Sequence, residues 1–430
     1  MRAPRLRAFL DRPVTRESVR RGIDRLLDSP VFRSRLFLWT AATILVAFSL
    51  FQTAQFIFVW DIDSSSYYTG AKGFLRGVDI YDPAVFQATA DSLFGHAMVI
   101  PPYIYPPLLG QILSPLAVFS PETFYWAFFF LNIALAALAL VLIARLLGLE
   151  TRPNVLPVLF LFLLLPTNRP LISTFYHGQI NFLVLDALLA GLLLRRKNRP
   201  WLSGLFLGFA IIVKIYPALF VLPLLWAKKW RQLAALAAGG AVLVAASVAA
   251  FGASPWAAFL RFTAETMTGR STSPFLVEFG TAVLNVSVKG FLSHLFEAFA
   301  WNQAGVGPLW AVLVAGLLLF ALARLRRTAW TTDLGLQAAA LLPLTVLLAP
   351  LSWSHHYIVV LVPLAYLFRL ILAERRYGAF LGIALFGSLA LYAISWKGFP
   401  FNHARTFGGL GLLLLVLLLA PRTAPPVRDE

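Results

Sequence analysis

Long apolar runs, separated by short polar or basic breaks, set the pattern of this 430-residue chain. Several of them reach the roughly 20 residues that a helix needs to cross a bilayer. Read this way, the pattern predicts spans at 36–59, 123–147, 154–172, 177–194, 200–213, 216–227, 232–252, 307–323, 334–350, 357–372, 378–396 and 404–420, about twelve in all. The segment Leu108–Phe119 is short and interrupted by Pro115, which fits either a crossing or a helix at the interface, and the basic clusters that follow make it non-crossing. Lys214-Ile215-Tyr216-Pro217 breaks two short apolar helices apart, because proline cannot continue a helix and disfavours helical backbone just before it. The fold class is therefore an all-α polytopic membrane protein. Two stretches stand out as hydrophilic interruptions, 61–122 and 253–306.

Charge gives the expected arrangement a direction. The formal net charge is +17, yet the lysines and arginines collect in the first 35 residues and in short loops, as the positive-inside rule predicts, which sets nucleic-acid binding aside. Arg145, the run Arg195-Arg196-Lys197-Asn198-Arg199, Lys228-Lys229-Trp230-Arg231, Arg324-Leu325-Arg326-Arg327 and Glu374-Arg375-Arg376 are all expected inside. Residues 1–35 then form a basic cytoplasmic segment whose Asp11, Glu17, Asp24 and Asp28 argue against a targeting peptide. Residues 36–420 form the membrane domain, and 421–430, with three prolines and mixed charge, form a cytoplasmic tail. With both termini inside, 61–122 becomes a long first outer loop carrying membrane-surface helices, and 253–306 a second large outer loop. The expected location is the bacterial cytoplasmic membrane. With no cysteine in the chain, disulfides and thiol chemistry are excluded.

Polar residues gather on the outer face of this topology. Trp60-Asp61-Ile62-Asp63-Ser64-Ser65-Ser66-Tyr67-Tyr68 leads the first loop, and the stretch Tyr176-His177-Gly178-Gln179-Ile180-Asn181, Lys214 and the pair His355-His356 face the same side. Carboxylates, imidazoles and cations around one cavity suit acid–base chemistry beside an anionic leaving group. Asp63 has a rival role as N-cap of a surface helix over Ser64–Arg76. Asp61-Ile62-Asp63 also has the look of a metal-binding Asp-x-Asp, although the nucleotide sugars handled by such sites are scarce outside. Adjacent helical histidines point about 100° apart, so one of the pair is expected to face the cavity. Two histidines without a third ligand name no metal site, so no cofactor is expected and the need for a divalent metal is left open. Gln179 and Asn181 have a bridging role between helices as their alternative. Asp186, nearer mid-membrane, is a candidate by position alone, and Asn285-Val286-Ser287 matches a glycosylation sequon by chance.

Several of these motifs, in this order, resemble family-87 glycosyltransferases. They are Asp63-Ser-Ser-Ser-Tyr67-Tyr68 with Gly77 and Ile80-Tyr81, Tyr105-Pro106-Pro107, Gly178-Gln179-x-Asn181, Gly204-x-x-x-Gly208 leading to Lys214-x-x-Pro217, Asn285-x-Ser287-x-x-Gly290, and Pro350-x-Ser352-Trp353-x-His355-His356. The resemblance implies a C-type glycosyltransferase architecture and a mannose, or in some members a pentose, moved from a polyprenyl phosphate donor to a glycolipid or glycan. It also implies that the first-loop acid is Asp63 and not Asp61, and that the functional histidine is His355 or His356. The expected reaction is an inverting transfer on the outer face. Asp63, His355 and His356 are the catalytic candidates, and Tyr67, Tyr105, Gln179, Asn181, Lys214, Arg261, Arg270, Asn285 and Lys289 the substrate-binding ones. A transporter or flippase of lipid-linked sugars is the alternative, for which the absence of internal symmetry is the opposing observation. An assembly partner without activity is a third reading.

Overall fold

A computed structural model of the chain describes residues 63–95, 100–149, 168–267, 285–374, 380–391 and 399–421, with isolated positions before 63. Every regular element among these residues is helical. The first outer segment folds as helices α1 (Asp63–Arg76), α2 (Pro83–Phe94) and α3 (Pro107–Leu113), the last followed by a short 3-10 turn at Leu116–Val118. Asp82 caps α2 by accepting from the Ala84 and Val85 amides, the expected use of an aspartate before a proline-led helix. Tyr67, Tyr103 and Leu109 are buried here, so the segment is a packed layer and not an extended loop.

Helix α4 (Pro121–Leu147) is followed by α5 (Arg169–Tyr176) and α6 (Asn181–Arg196), the last two meeting at a bend of 112°. The expected span at 154–172 lies largely outside the described residues, as does that at 36–59. Next come α7 (Pro200–Val213), a 3-10 turn at Tyr216–Phe220, α8 (Val221–Trp226), α9 (Trp230–Phe251) and α10 (Ser254–Met267). The remainder comprises α11 (Val288–Ala298), α12 (Val306–Leu325), α13 (Leu334–Leu348), a 3-10 segment Ser354–Val360 running into α14 (Leu361–Glu374), α15 (Phe380–Leu391) and α16 (Ala404–Leu419). Among the described residues, four helical stretches are long and apolar enough to cross a membrane by themselves, Pro121–Leu147, Trp230–Phe251, Gln303–Leu325 and Phe401–Leu419, and the bent α5–α6 pair makes a fifth if it counts as one span. The other apolar helices in the described residues are shorter. Within the stretch expected as a second large outer loop, Ser254–Met267 and Val288–Ala298 are helical, and Ala258, Phe259 and Phe262 are buried.

Small residues set how closely the helices approach. A side chain on Gly204 would collide with the Ala235 backbone, one on Gly239 with Gly204, and one on Gly208 with Gly240. Residue numbers rise together along this contact, so α7 and α9 run parallel, and the chain between them must turn back through Tyr216–Trp226. Close backbone approach through glycine is the means by which apolar helices pack where no water drives them together. The spacing read as a motif is thus a helix–helix contact.

The same helices carry basic residues at one end and the polar cluster at the other. Arg196 donates to the carbonyls of Arg145 (2.9 Å) and Leu146 (3.3 Å), closing the C-terminus of α4. Arg195 donates to Gln337 Oε1 and to the Thr331 carbonyl, tying the end of α6 to the start of α13. At the far ends of α6 and α13 stand Asn181 and the Ser352–His356 segment. At about 1.5 Å per residue, helices of this length hold the two ends roughly 20 Å apart.

Candidate active site

Asp63 opens α1 as far as that helix is described, and the Ser64 amide of its first turn donates to the His177 carbonyl at 3.1 Å. Gly178 makes this junction possible. It sits at φ +60°, and a side chain there would run into Ser64 Cβ at 2.7 Å, so the position needs both a left-handed backbone and no Cβ. The tight turn brings His177 and Gln179 against the start of α1. His177 Nδ1 lies 3.8 Å from Asp63 Oδ2, whose side chain is 15% exposed. Burial raises the Asp63 carboxyl above its ordinary value, opposed first by His177, then by Gln179 and Lys214. The Gln179 amide is near enough to favour the carboxylate but completes no hydrogen bond of ordinary geometry, since its nitrogen is buried without an acceptor. A carboxylate whose burial raises its proton affinity, held beside an imidazole, is equipped to act as a proton acceptor.

Around this pair the buried polar residues interlock. Tyr67 donates to the Tyr105 hydroxyl (2.9 Å) and is 3.2 Å from Gln179 Oε1. Burial pushes both phenols above their ordinary range, so they remain neutral donors. Lys214, which follows the last turn of α7 in extended backbone, donates to Asn181 Oδ1 at 2.7 Å and stands 5.5 Å from the Tyr105 ring. Asn181 passes the contact on, donating from Nδ2 to the His355 carbonyl at 3.1 Å. Asp63, Tyr67, Tyr105, Gln179, Asn181, Lys214, His355 and His356 are thus one constellation.

The two histidines have different surroundings. His355 is buried, its ring 5.7 Å from that of His177. His356 lines a cavity of about 300 Å³ together with Lys214, Tyr105, Tyr216, Trp353 and the apolar side chains of α10 and α13. Its Nδ1 accepts from the Trp353 amide at 3.2 Å. The neutral ring therefore carries its proton on Nε2, a tautomer assigned from this bond.

Three other expected binding residues stand apart. Arg261 projects from the outer side of α10, 63% exposed, and pairs with Asp79 at 2.9 Å, while its neighbours Phe259 and Phe262 face the cavity. Lys289 places its ammonium 5.6 Å from the Trp310 ring and does not line the cavity. Asn285 is a clasp: Oδ1 accepts from the amides of Ser352 (3.0 Å) and Ser287 (3.1 Å), and Nδ2 donates to the Pro350 carbonyl (3.0 Å). It shapes the segment carrying the histidines without lining the cavity. Arg270 lies outside the described residues, as does Asp61. Asp186 is buried with neither oxygen hydrogen-bonded and belongs to no part of the constellation.

His177 is the residue the sequence reading passed over, quoted only within a longer stretch. The signal was there in the glycine after it, which forces a turn and so aims the imidazole back at α1.

Comparison with known proteins fits this geometry. The description of glycosyltransferase family 87 matches residues 103–351, more than half of the chain. The chain belongs to glycosyltransferase family 87. Among curated relatives of this family-87 enzyme, a polyprenol-phosphate-mannose-dependent alpha-(1-2)-phosphatidylinositol pentamannoside mannosyltransferase of Mycolicibacterium smegmatis is 29% identical over 306 residues, covering 67% of this chain and 69% of its own. A polyprenol-phosphate-mannose-dependent alpha-(1-2)-phosphatidylinositol mannoside mannosyltransferase of Mycobacterium tuberculosis is 28% identical over 352 residues, 75% of this chain and 74% of its own. An alpha-(1->3)-arabinofuranosyltransferase of Corynebacterium glutamicum is 28% identical over 292 residues, 67% of this chain and 63% of its own. No solved structure matches the chain significantly. The family match begins after Asp63, so the part this carboxylate plays rests on its own geometry.

Proposed function

We propose that this family-87 glycosyltransferase transfers mannose from a polyprenyl phosphate donor to a glycolipid or glycan, with inversion, on the outer face of the membrane, through a domain of about twelve spans with cytoplasmic ends. The observation that carries the reading is an apolar cavity lined by Tyr105, Lys214 and His356, together with Asp63 paired with His177 at the start of the helix whose Tyr67 bonds Tyr105. An apolar cavity with one cation and one imidazole donor in its wall suits a lipid chain that terminates in a phosphate. The donor specificity named for the mycobacterial relatives supports mannose. Segregation of the arginine-rich helix ends from this junction supports the sidedness.

In the reaction, Asp63 accepts the proton of an acceptor hydroxyl as its oxygen attacks the anomeric carbon. The bond from that carbon to the phosphate oxygen breaks on the opposite face, and both its electrons leave with the polyprenyl phosphate. Lys214 neutralises the departing phosphate, and the Nε2–H of His356 donates to it. His356 is then a phosphate donor and not the base, because its other nitrogen is committed to the Trp353 amide. His177 holds and polarises Asp63. A loss of general-base assistance is typically worth about 10²–10⁴-fold in rate.

The test is direct. Purified protein is incubated with radiolabelled polyprenyl-phosphate mannose and a membrane lipid extract, and the products are separated by thin-layer chromatography. A new labelled glycolipid, absent when a nucleotide-linked mannose replaces the donor, is expected. Movement of intact donor across proteoliposome membranes, with no covalent product, would favour a flippase instead.

A further inference from the structure

Two large aromatic side chains, Phe299 and Trp301, lie on the surface in the turn between α11 and α12, 60% and 52% exposed. They stack on each other with ring centroids 5.3 Å apart and planes at 27°. The backbone of the turn holds them there. The Trp301 amide donates to the Phe296 carbonyl at 2.7 Å and the Ala300 amide to that of Glu297 at 3.0 Å. Ala300 between them takes φ +52°, where glycine is the ordinary choice. A strained residue thus keeps Trp301 against Phe299, and Phe296 packs at right angles to the indole, 5.1 Å away.

Below this turn α11 and α12 form a hairpin. Lys289 stands over the Trp310 ring, Gln303 donates to the Ser293 carbonyl at 3.2 Å, and a Cβ on Gly305 would come within 2.9 Å of Phe296. The start of α11 therefore lies beside the second turn of α12, and its end beside the turn that opens it. Helix α12 has 20 residues, which makes it about 30 Å long, the thickness of a bilayer's hydrocarbon core. Its far end carries Arg324, Arg326 and Arg327, and Val312, Leu313, Leu319 and Phe320 along it are exposed, as lipid-facing side chains are. With the arginines at one boundary of the hydrocarbon, Val306 falls at the other. Phe299 and Trp301 lead directly into this exposed apolar span, and so fall in the headgroup layer, where aromatic rings with a polar edge collect.

We propose that Phe299 and Trp301 are a membrane anchor, seated in the lipid headgroup layer at the end of the molecule that carries the polar constellation. The other limb of the hairpin starts at Ser287, which caps α11 by accepting from the Gly290 amide, two residues after Asn285. The Asn285 clasp on Pro350 and Ser352 ties the histidine segment to this anchored hairpin. The anchor thereby sets the height of that segment against the bilayer surface, where lipid-borne phosphates lie. Its depth is independent of the reaction, whereas its coupling to transfer rests on the transferase reading above.

The chain has no cysteine, so single spin labels can be read without background. Phe299→Cys, Trp301→Cys and, as a hydrocarbon reference, Val312→Cys are each labelled in full-length protein in phosphatidylcholine–phosphatidylglycerol liposomes. Collision of the label with oxygen is compared with collision with a water-soluble nickel chelate. Labels at 299 and 301 are expected within about 5–10 Å of the lipid phosphates, and the label at 312 deeper. Exposure to the chelate equal to that of a label in water, as a glycan-stacking platform would show, overturns the anchor. So does shielding from both reagents, which a docked protein or a second copy would cause. Both positions are exposed, so if one variant fails to fold the other carries the test. For the coupling, the double variant Phe299→Ser/Trp301→Ser is expected to transfer mannose about tenfold more slowly than wild type in nanodiscs, and within about twofold of it in micelles, which adapt to the protein. Wild-type rates in nanodiscs overturn the coupling. A wild-type protein that transfers no mannose, with both labels at the phosphate level, refutes the transferase reading and leaves the anchor standing.

Discussion

Replacing Asn285 by alanine tests how the histidine segment is held. In the native protein one buried side chain satisfies the amides of Ser352 and Ser287 and the carbonyl of Pro350, at 3.0, 3.1 and 3.0 Å. Ser287 and Ser352 are both fully buried, so water cannot replace the lost acceptor without an opening of the fold. Leaving one buried backbone donor unsatisfied costs about 1–3 kcal/mol, and three such losses within one clasp are not additive, so roughly 3 kcal/mol is expected. The Val286 carbonyl accepts from Tyr357 and Thr406, and its amide donates to the Ser352 carbonyl at 2.7 Å, so the chain stays nearby while the Ser352 amide loses its acceptor. The variant should therefore melt about 3 °C below wild type in the same detergent. Because Trp353 and His356 follow directly on Ser352, mannose transfer should fall more than about tenfold, even at temperatures where the protein stays folded. Asn285→Asp keeps the acceptor oxygen and loses the donor, so it should fall between the two in both measurements. Wild-type melting together with wild-type transfer in Asn285→Ala would refute this account of the clasp.

Two further outcomes follow from the geometry. The acid limb of the pH–rate profile should lie above the ordinary carboxylate value of 3.8, because burial raises Asp63. His177→Gln, which removes the main influence holding that carboxyl down, should move the limb to higher pH; a limb that stays put would take His177 away from Asp63. At the contact of α7 with α9, Gly239→Leu puts a side chain where the Gly204 backbone lies, so folded yield from membranes should drop sharply, and an unchanged gel-filtration profile would show that the helices do not meet there.

Most of the helices were legible in the apolar runs, because a membrane-like interior imposes long uninterrupted hydrophobicity. Charge counting brought Asp63, Gln179, Asn181, Lys214 and the histidines to one end, and the structure places them within one network. What the sequence could not supply was pairing across long separations. Arg261 and Lys289 carry the right charge for a phosphate, but Asp79 and Trp310 engage them elsewhere. Asn285 looked like a ligand-binding amide because its backbone partners, Pro350 and Ser352, lie more than sixty residues away along the chain. The separation of His355 from His356 depended on one backbone bond from Trp353, which no periodicity reveals.

The central claim is that the Asp63 carboxylate is the base. It is tested most directly by single-turnover transfer from radiolabelled polyprenyl-phosphate mannose with Asp63→Asn, against wild type in the same membranes. A buried carboxyl with a raised pKa favours the folded state at low pH and loses that contribution as pH rises from 3.8 through the raised value, so the amide should melt at or above the wild-type temperature at pH 7. A folded variant whose transfer rate falls about 10²–10⁴-fold, with donor binding retained, is the result predicted here. A folded Asp63→Asn protein that transfers mannose at the wild-type rate would contradict it.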